Sequence, residues 1–322
     1  MNSANTLRKA GNAMHITFIL HGMRRLALVL LLALPFAASA AEQKSFATPD
    51  EAADALLAAL KADDDAAIVA IFGDKHKDLV VPPDRTANSA NRATTAAAMQ
   101  TYRLLEERGK DRRVLLIGDE AWPFPIPLLK SGERWRFATE EGEDELVNRR
   151  IGANELNAIN VLEAYLDAQK EYASWDRNGD GVLQYAQRLA STPGKHDGLY
   201  WQADAAKGEE MSPFGPLVAE SAAYLKGRKA GDPYRGYHFR ILTRQSKSAP
   251  GGAYSYVING RMIAGFAMVA YPAQYGESGV MTFIINQTGR MFEKDLGKNS
   301  TTLGAKMTSF DPGAGWHEVG FY

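Results

Sequence analysis

The sequence predicts an α+β fold: N-terminal helices with a small sheet, a central helical segment with an EF-hand-like loop, and a C-terminal antiparallel β-meander. Three observations carry that expectation. Apolar residues recur at spacings of three and four within residues 52–72 and again from residue 156, which lines one face of a helix. From Tyr237 onward the period becomes strand-like, with Asn259-Gly260 and Gln287-Thr288-Gly289 as hairpin signals between the runs. Between these regions lies the loop Asp176-Arg177-Asn178-Gly179-Asp180-Gly181, with oxygen-bearing side chains at alternate positions.

Residues 1–40 read as a signal peptide. Arg24 and Arg25 precede an apolar run over 26–36, and Ala38-Ser39-Ala40 supplies an A-x-A cleavage site. The run is short for a membrane span. Translation starts at Met1, Met14 or Met23, and cleavage is expected after Ala40, which makes the protein periplasmic or secreted. The chain has 322 residues and no cysteine, so neither a lipid-bearing cysteine nor a disulfide is available. It carries 37 basic and 38 acidic residues, and four of the basic ones (Arg8, Lys9, Arg24, Arg25) lie in the leader. The remainder is therefore mildly acidic, without the basic footprint of a nucleic-acid binder. No later apolar run is long enough to span a bilayer.

An N-terminal α+β unit is expected over 41–148. Thr48-Pro49-Asp50-Glu51 combines an N-cap, a proline at the first helical position and a capping-box glutamate. Ala52, Ala53, Leu56, Leu57 and Leu60 line that helix, and a second short helix carries Ile68, Ile71 and Phe72 before Gly73. Residues 84–95 are polar and read as a loop, with a third helix over 95–108. Strands are expected at 113–117 and 133–138. Residues 122–128, with prolines at 123, 125 and 127, read as an edge strand or polyproline segment.

A central segment is expected over 149–205. Asn154 is placed as an N-cap, with Leu156, Ile159, Leu162 and Leu166 on the buried face. After the acidic loop, a short second helix and the aromatic turn Asp197-Gly198-Leu199-Tyr200-Trp201 follow. The loop admits two readings. As a calcium site, its ligands are Asp176, Asn178, Asp180, Val182, Gln184 and Gln187, with Gly181 at the sharp sixth position and Leu183 at the apolar eighth. Gln187 stands where a bidentate glutamate is expected, so only two formal negative charges are offered. As an Asx-rich turn, the same residues join two helices without an ion. Arg149 and Arg150, beside Asn154 and Glu155, read either as an anion-binding cluster at a helix N-terminus or as an ion-pair network between units. Tyr200 and Trp201 either stack on a ligand or cap the edge of the core.

In the C-terminal unit, 206–322, strands are expected at 237–243, 254–258, 262–270, 279–286 and 290–294, with a short helix at 219–226. Gly265 marks a bulge or close packing.

Catalytic motifs are missing. Histidines 76, 196, 238 and 317 lack metal-ligand spacing, and Ser278 falls one residue short of a nucleophile elbow. Glu155, Glu163 and Asp167 are the carboxylates available for acid–base work.

Several stretches occur together: Trp122-Pro123-Phe124-Pro125-Ile126-Pro127, residues 149–156, Tyr185-Ala186-Gln187, residues 197–201, residues 270–276 and Lys294-Asp295-Leu296-Gly297. On these the chain resembles the exported bacterial family known as domain of unknown function 2950, over essentially all of 41–322. The resemblance implies export and a shared fold, and it transfers no catalytic residue. More loosely, Gly236-Tyr237-His238-Phe239 and residues 271–283 are similar to the C-terminal sheets of some pseudopilin-like proteins, without their long N-terminal helix. The functional expectation is a non-enzymatic envelope protein that binds an envelope partner or a ligand. The alternatives are a periplasmic or cell-wall hydrolase using the three carboxylates, and a calcium-stabilised structural module.

Overall fold

Thr48 opens the first helix as the sequence dictates. Its hydroxyl accepts the Glu51 amide N–H at 3.1 Å, and the Glu51 carboxylate turns back to accept the Ala47 N–H at 3.0 Å. A computed structural model of the protein describes residues 43–177, 179–220, 229 and 231–320. The expected leader and its cleavage site lie outside the described residues.

Helix α1 (Pro49–Ala62) buries Ala52, Ala53, Leu56, Ala59 and Leu60. Asp64 then caps α2 (Asp65–Phe72) by accepting the N–H groups of Ala66 and Ala67. A single turn, α3 (Lys77–Val80), leads into α4 (Arg85–Thr101). This helix corrects the loop expected at 84–95, and the third helix expected to run to 108 ends at 101. Asp84 supplies the cap, its carboxylate accepting the Ala87 N–H at 3.0 Å. The buried face of α4 is Asn88, Arg92, Ala96 and Met99, where a periodicity search looks for large apolar residues. Arg92, 4 % exposed, donates at 2.7 Å to both Asp63 and Asp65. A buried, paired guanidinium therefore fills the place of a leucine.

The first sheet runs β1 (Arg103–Glu107), β2 (Arg112–Ile117), β4 (Leu128–Ser131), β5 (Arg134–Phe137), with β3 (Trp122–Pro123) also on β2; every pairing is antiparallel. Only the first of the three alternating prolines pairs in a strand, as an edge reading requires. Leu115, Ile126, Leu128, Trp135 and Phe137 face α1, α2 and α4 in one apolar core.

Helix α5 (Thr139–Tyr172) has 34 residues, about 50 Å of rod at 1.5 Å per residue. It passes straight through Asn154, so the expected N-cap and helix start there are corrected, and the expected boundary at 148/149 falls inside the helix. The Thr139 hydroxyl donates to the Phe72 carbonyl at 2.7 Å, fixing the start against the first core. Gly142 is required there: a Cβ would stand 2.7 Å from Ile126 Cγ1 and from the Pro125 carbonyl. Farther along, Ala158, Val161, Leu162, Tyr165, Ala168 and Tyr172 belong to a second core. Leu156, expected on the buried face, is 65 % exposed.

That second core packs on the sheet ordered β15 (His317–Glu318), β13 (Met291–Asp295), β12 (Met281–Asn286), β11 (Ala267–Pro272), β6 (Tyr237–Leu242), antiparallel throughout. The strands β11, β12 and β13 form the expected meander, and α5 lies across β11 and β12. Between β6 and β11 the chain makes an excursion the sequence presents only in part. β7 (Arg244–Gln245) pairs antiparallel with β8 (Tyr254–Ser255) and parallel with β14 (Ser309–Phe310). The strand expected at 254–258 is thus interrupted: Val257–Ile258 forms β9, which makes a hairpin with β10 (Arg261–Met262). Asn259 and Gly260 turn that hairpin with φ of +50° and +80°, as the Asn-Gly signal predicts. Gly265, at φ +145°, has Gln287 and Tyr256 atoms 2.9 Å from where a Cβ would stand, the close packing anticipated.

Helix α6 (Gly215–Glu220) begins earlier than expected, and residues 221–226 of the expected helix lie outside the described ones. Helix α7 (Ser300–Lys306), absent from the sequence reading, lays Gly304 beneath the Tyr271 ring. No helix among the described residues is long and apolar enough to cross a membrane.

Candidate functional site

A large concavity lies where the chain leaves α5. Tyr172 is the last residue of that helix, and its phenol donates to the His196 carbonyl at 2.8 Å. The chain does not form the expected second helix beyond the acidic loop. It runs extended instead, because Gln169 holds it as a strand would. This fully buried amide donates to the Ala186 carbonyl and accepts the Ala186 N–H, both at 2.8 Å. Tyr185 adds a bridge to Met262, its N–H donating to that carbonyl at 2.8 Å. Burying the amide is tolerable only because all its hydrogen-bonding capacity facing the chain is used.

The next segment folds back. The Tyr200 N–H donates to the Leu189 carbonyl, and the Ser191 N–H to the Tyr200 carbonyl, each at 2.8 Å. Gly198 is needed at the crossing, since a Cβ would stand 2.7 Å from the Ala190 carbonyl carbon. Asp197 ties the loop base: its carboxylate accepts the Thr192 N–H at 2.6 Å and the Thr192 hydroxyl at 2.8 Å. These bonds, the backbone one first, hold the Asp197 carboxyl below its ordinary range.

Between these segments lies a half-open cavity of about 660 Å³ lined by Tyr172, Arg177, residues 184–188 and residues 194–197. Its charged lining is Arg177, Arg188, Lys195 and Asp197, with the His196 imidazole beside them. The Arg177 side chain is 5 % exposed and lies 5.1 Å from the Tyr172 ring and 5.3 Å from the Trp201 ring. Glu210 pairs with Arg177 and, at 3.1 Å, with His196, whose imidazole stacks on Trp201 at 4.1 Å. Burial draws the Arg177 pKa below the ordinary arginine value. Arg188 reaches Thr192 Oγ1 at 2.8 Å and lies 3.8 Å from Asp197. Lys195 is exposed and makes no ion pair among the described residues.

The stretches around Tyr185-Ala186-Gln187 and residues 197–201 thus meet at one cavity, joined by Gln169 and Tyr172 of the long helix. Their joint presence with the other shared stretches reflects common descent. The chain belongs to the DUF2950 family. The model of that family, described as a protein of unknown function, matches residues 43–319. No curated protein and no solved structure matches the chain, so the pseudopilin-like resemblance rests on its quoted residues alone.

The candidate residues of this DUF2950 member fall in three places. Arg149, Arg150, Asn154 and Glu155 lie within α5, not at a helix N-terminus, which removes the anion-cluster geometry expected for them. Arg149 pairs with Glu145 at 2.7 Å, and Arg150 donates to the Leu79 carbonyl at 2.7 Å. Asn154 donates to the Ser278 carbonyl, and Glu155 accepts the N–H groups of Val280 and Met281, all at 2.9 Å. They clamp the helix to neighbouring segments. Trp201 is buried, its indole N–H donating to the Glu210 carbonyl at 2.8 Å, and Tyr200 packs partly buried beside it. Trp201 stands behind His196 and Arg177 of the cavity lining. Glu163 is half-buried and Asp167 exposed, and neither lines the cavity with Glu155.

In the acidic loop, Asp176 accepts the N–H groups of Gly179, Asp180 and Gly181 at 2.7–3.3 Å. Asp180 accepts the Val182 N–H at 3.0 Å and takes Arg261 Nε and a terminal guanidinium nitrogen at 2.8 Å. Gln187 donates to the Gly260 carbonyl at 2.8 Å, and Gln184 lines the basic cavity. Asn178 lies outside the described residues. Among the described residues no group of three or more His, Asp or Glu side chains is placed to hold a metal ion. The bonds of Asp176 close an Asx turn, and the Arg261 guanidinium stands beside Asp180.

The sequence reading missed Arg177, Arg188, Lys195 and His196. Arg177 was hidden inside the acidic loop pattern, and the other three lie in a polar stretch without periodicity.

Proposed function

We propose that this DUF2950 protein is an exported, non-catalytic binding protein that holds a small anionic ligand in the cavity beside the aromatic turn. The observation that carries this reading is the lining: Arg177, Arg188 and Lys195 against the single carboxylate of Asp197, in about 660 Å³ of space. Pockets of this size take whole small molecules, and a few convergent charged groups fix their orientation. Arg188 and Lys195 are exposed and bring the field that attracts an anion. Arg177 is held rigid between two rings and by Glu210, so it contributes shape more than free charge. Export is supported by the leader at residues 1–40, and the mildly acidic remainder keeps nucleic acid from being the anion.

The test is calorimetric titration of the exported protein with phosphate, sulfate, citrate and glucuronate, beside a neutral sugar and an amine. At least one anion is expected to bind saturably, more weakly at high salt. The double variant R188A/K195A is expected to weaken that binding about tenfold or more. Equal binding of the neutral probe, or an unchanged affinity in the double variant, would overturn the reading. The mass of the protein from a periplasmic fraction checks export, with Ala41 expected as the first residue.

A further inference from the structure

A second cavity differs from the first in every respect that matters for chemistry. It holds about 170 Å³ and lies between α5, the face of β6 and β11, and α6. Val161 of α5 and Met268 of β11, 5 % and 0 % exposed, form its floor. Leu189, Phe239, Phe214 and Leu217 line its sides, and the pocket is half-open to solvent. Tyr234 contributes its ring, 6.4 Å from Phe239 in an edge-on arrangement, and its hydroxyl lies 3.5 Å from Arg235 Nε.

We infer that this cavity is a binding site for one uncharged apolar group the size of a single aromatic ring. Water gains little there, because a buried water needs two to four polar partners and these walls are aliphatic and aromatic. Apolar cavities of comparable volume, about 150 Å³ and lined by leucine, isoleucine and phenylalanine, stay dry and take up benzene or xenon. The pocket is half-open to solvent, so its apolar lining meets water on one side, and an apolar guest that covers it removes that apolar surface from water. Its walls come from a helix, a sheet, an extended segment and a second helix, so no single rotamer change fills it. The edge-on aromatic pair presents ring edges and faces to a guest, an arrangement that suits another ring. The inference is independent of the anion-binding reading, because the two cavities share no lining residue among the described ones.

The experiment uses the full exported chain with benzene, benzoate and xenon as probes. Benzene is expected to raise Tm saturably by a few degrees, and benzoate to leave it unchanged. Xenon is expected to occupy one site between Met268 and Leu217, seen by crystal pressurisation or by shifts of the Met268 methyl resonance. L217W, placed at the α6 wall, and V161F, placed at the floor, each fill the space from a different side. Either variant, if folded, is expected to abolish both the benzene shift and the xenon site. Absence of xenon and benzene binding in the unaltered protein would overturn the proposal. So would equal stabilisation by benzoate, or a benzene shift that survives in a folded filling variant.

Discussion

The two halves of α5 are held in place by different balances of polar contact and burial. From Thr139 to Gly152 the helix is fixed by polar contacts and one close approach: the Thr139 hydroxyl on the Phe72 carbonyl, Arg150 on the Leu79 carbonyl, and Gly142 against Ile126. From Ala153 to Tyr172 burial dominates: after the polar clamps of Asn154 and Glu155, Ala158, Val161, Leu162, Tyr165, Ala168 and Tyr172 form a stripe on the sheet. One regular rod therefore serves two cores, and only one half advertises itself by periodicity. A helix can be specified by partners far away in sequence as firmly as by its own apolar face.

The comparison breaks first in the buried half. Leu162, 0 % exposed, is expected to cost about 2–5 kcal/mol on replacement by alanine, read from urea unfolding; a loss below about 1 kcal/mol would show the stripe is not what holds the helix.

Next come the two glycines of the polar half, which should move stability in opposite directions. Gly142→Ala forces a Cβ into Ile126 and the Pro125 carbonyl and is expected to cost about 1–3 kcal/mol. Gly152 has open space at its Cβ position, so Gly152→Ala is expected to stabilise by up to about 1 kcal/mol. Stabilisation by both would mean that the Gly142 contact yields easily.

A smaller effect is pH-dependent. Arg136 holds the Glu140 carboxylate through bonds of 2.5 and 3.1 Å, pulling its pKa from 4.5 to about 2. A depressed carboxylate stabilises the fold fully above its unfolded pKa, and that contribution fades as pH falls from about 4.5 towards 2. Melting curves of the wild type and Glu140→Gln should differ near neutrality and converge near pH 2. Both side chains are partly exposed, so the difference is modest. Parallel curves across that window would remove the pair from the account.

The smallest effect concerns the acidic loop. With Asp180 engaged by Arg261, melts in millimolar calcium and in EDTA are expected to coincide. A calcium shift abolished by Asp176→Ala would instead restore the loop as a metal site.

What the sequence made legible is what local chemistry decides. The Thr48 cap, the short helix that ends before Gly73, the Asn259-Gly260 turn and the apolar runs of β11, β12 and β13 are written in local residues. What stayed hidden depends on partners far along the chain. Asn154 has the composition of an N-cap, but its amide reaches Ser278, 124 residues away. Arg92 buries itself because Asp63 and Asp65 are waiting. A short second helix was expected after the acidic loop, yet Gln169 claims the backbone of Ala186 and keeps it extended. The candidate site followed the same rule. Its charged lining came together only through the fold-back of residues 188–201.

One peptide bond separates the two cavities. Arg188 faces the basic one and Leu189 the apolar one, and both residues hang on the backbone that hydrogen-bonds to residues 199 and 200. A guest that shifts this segment on one side changes the wall on the other. Thermodynamic reciprocity then requires that any change the apolar guest makes in anion affinity be returned, by the same factor, in its own affinity when the anion is bound.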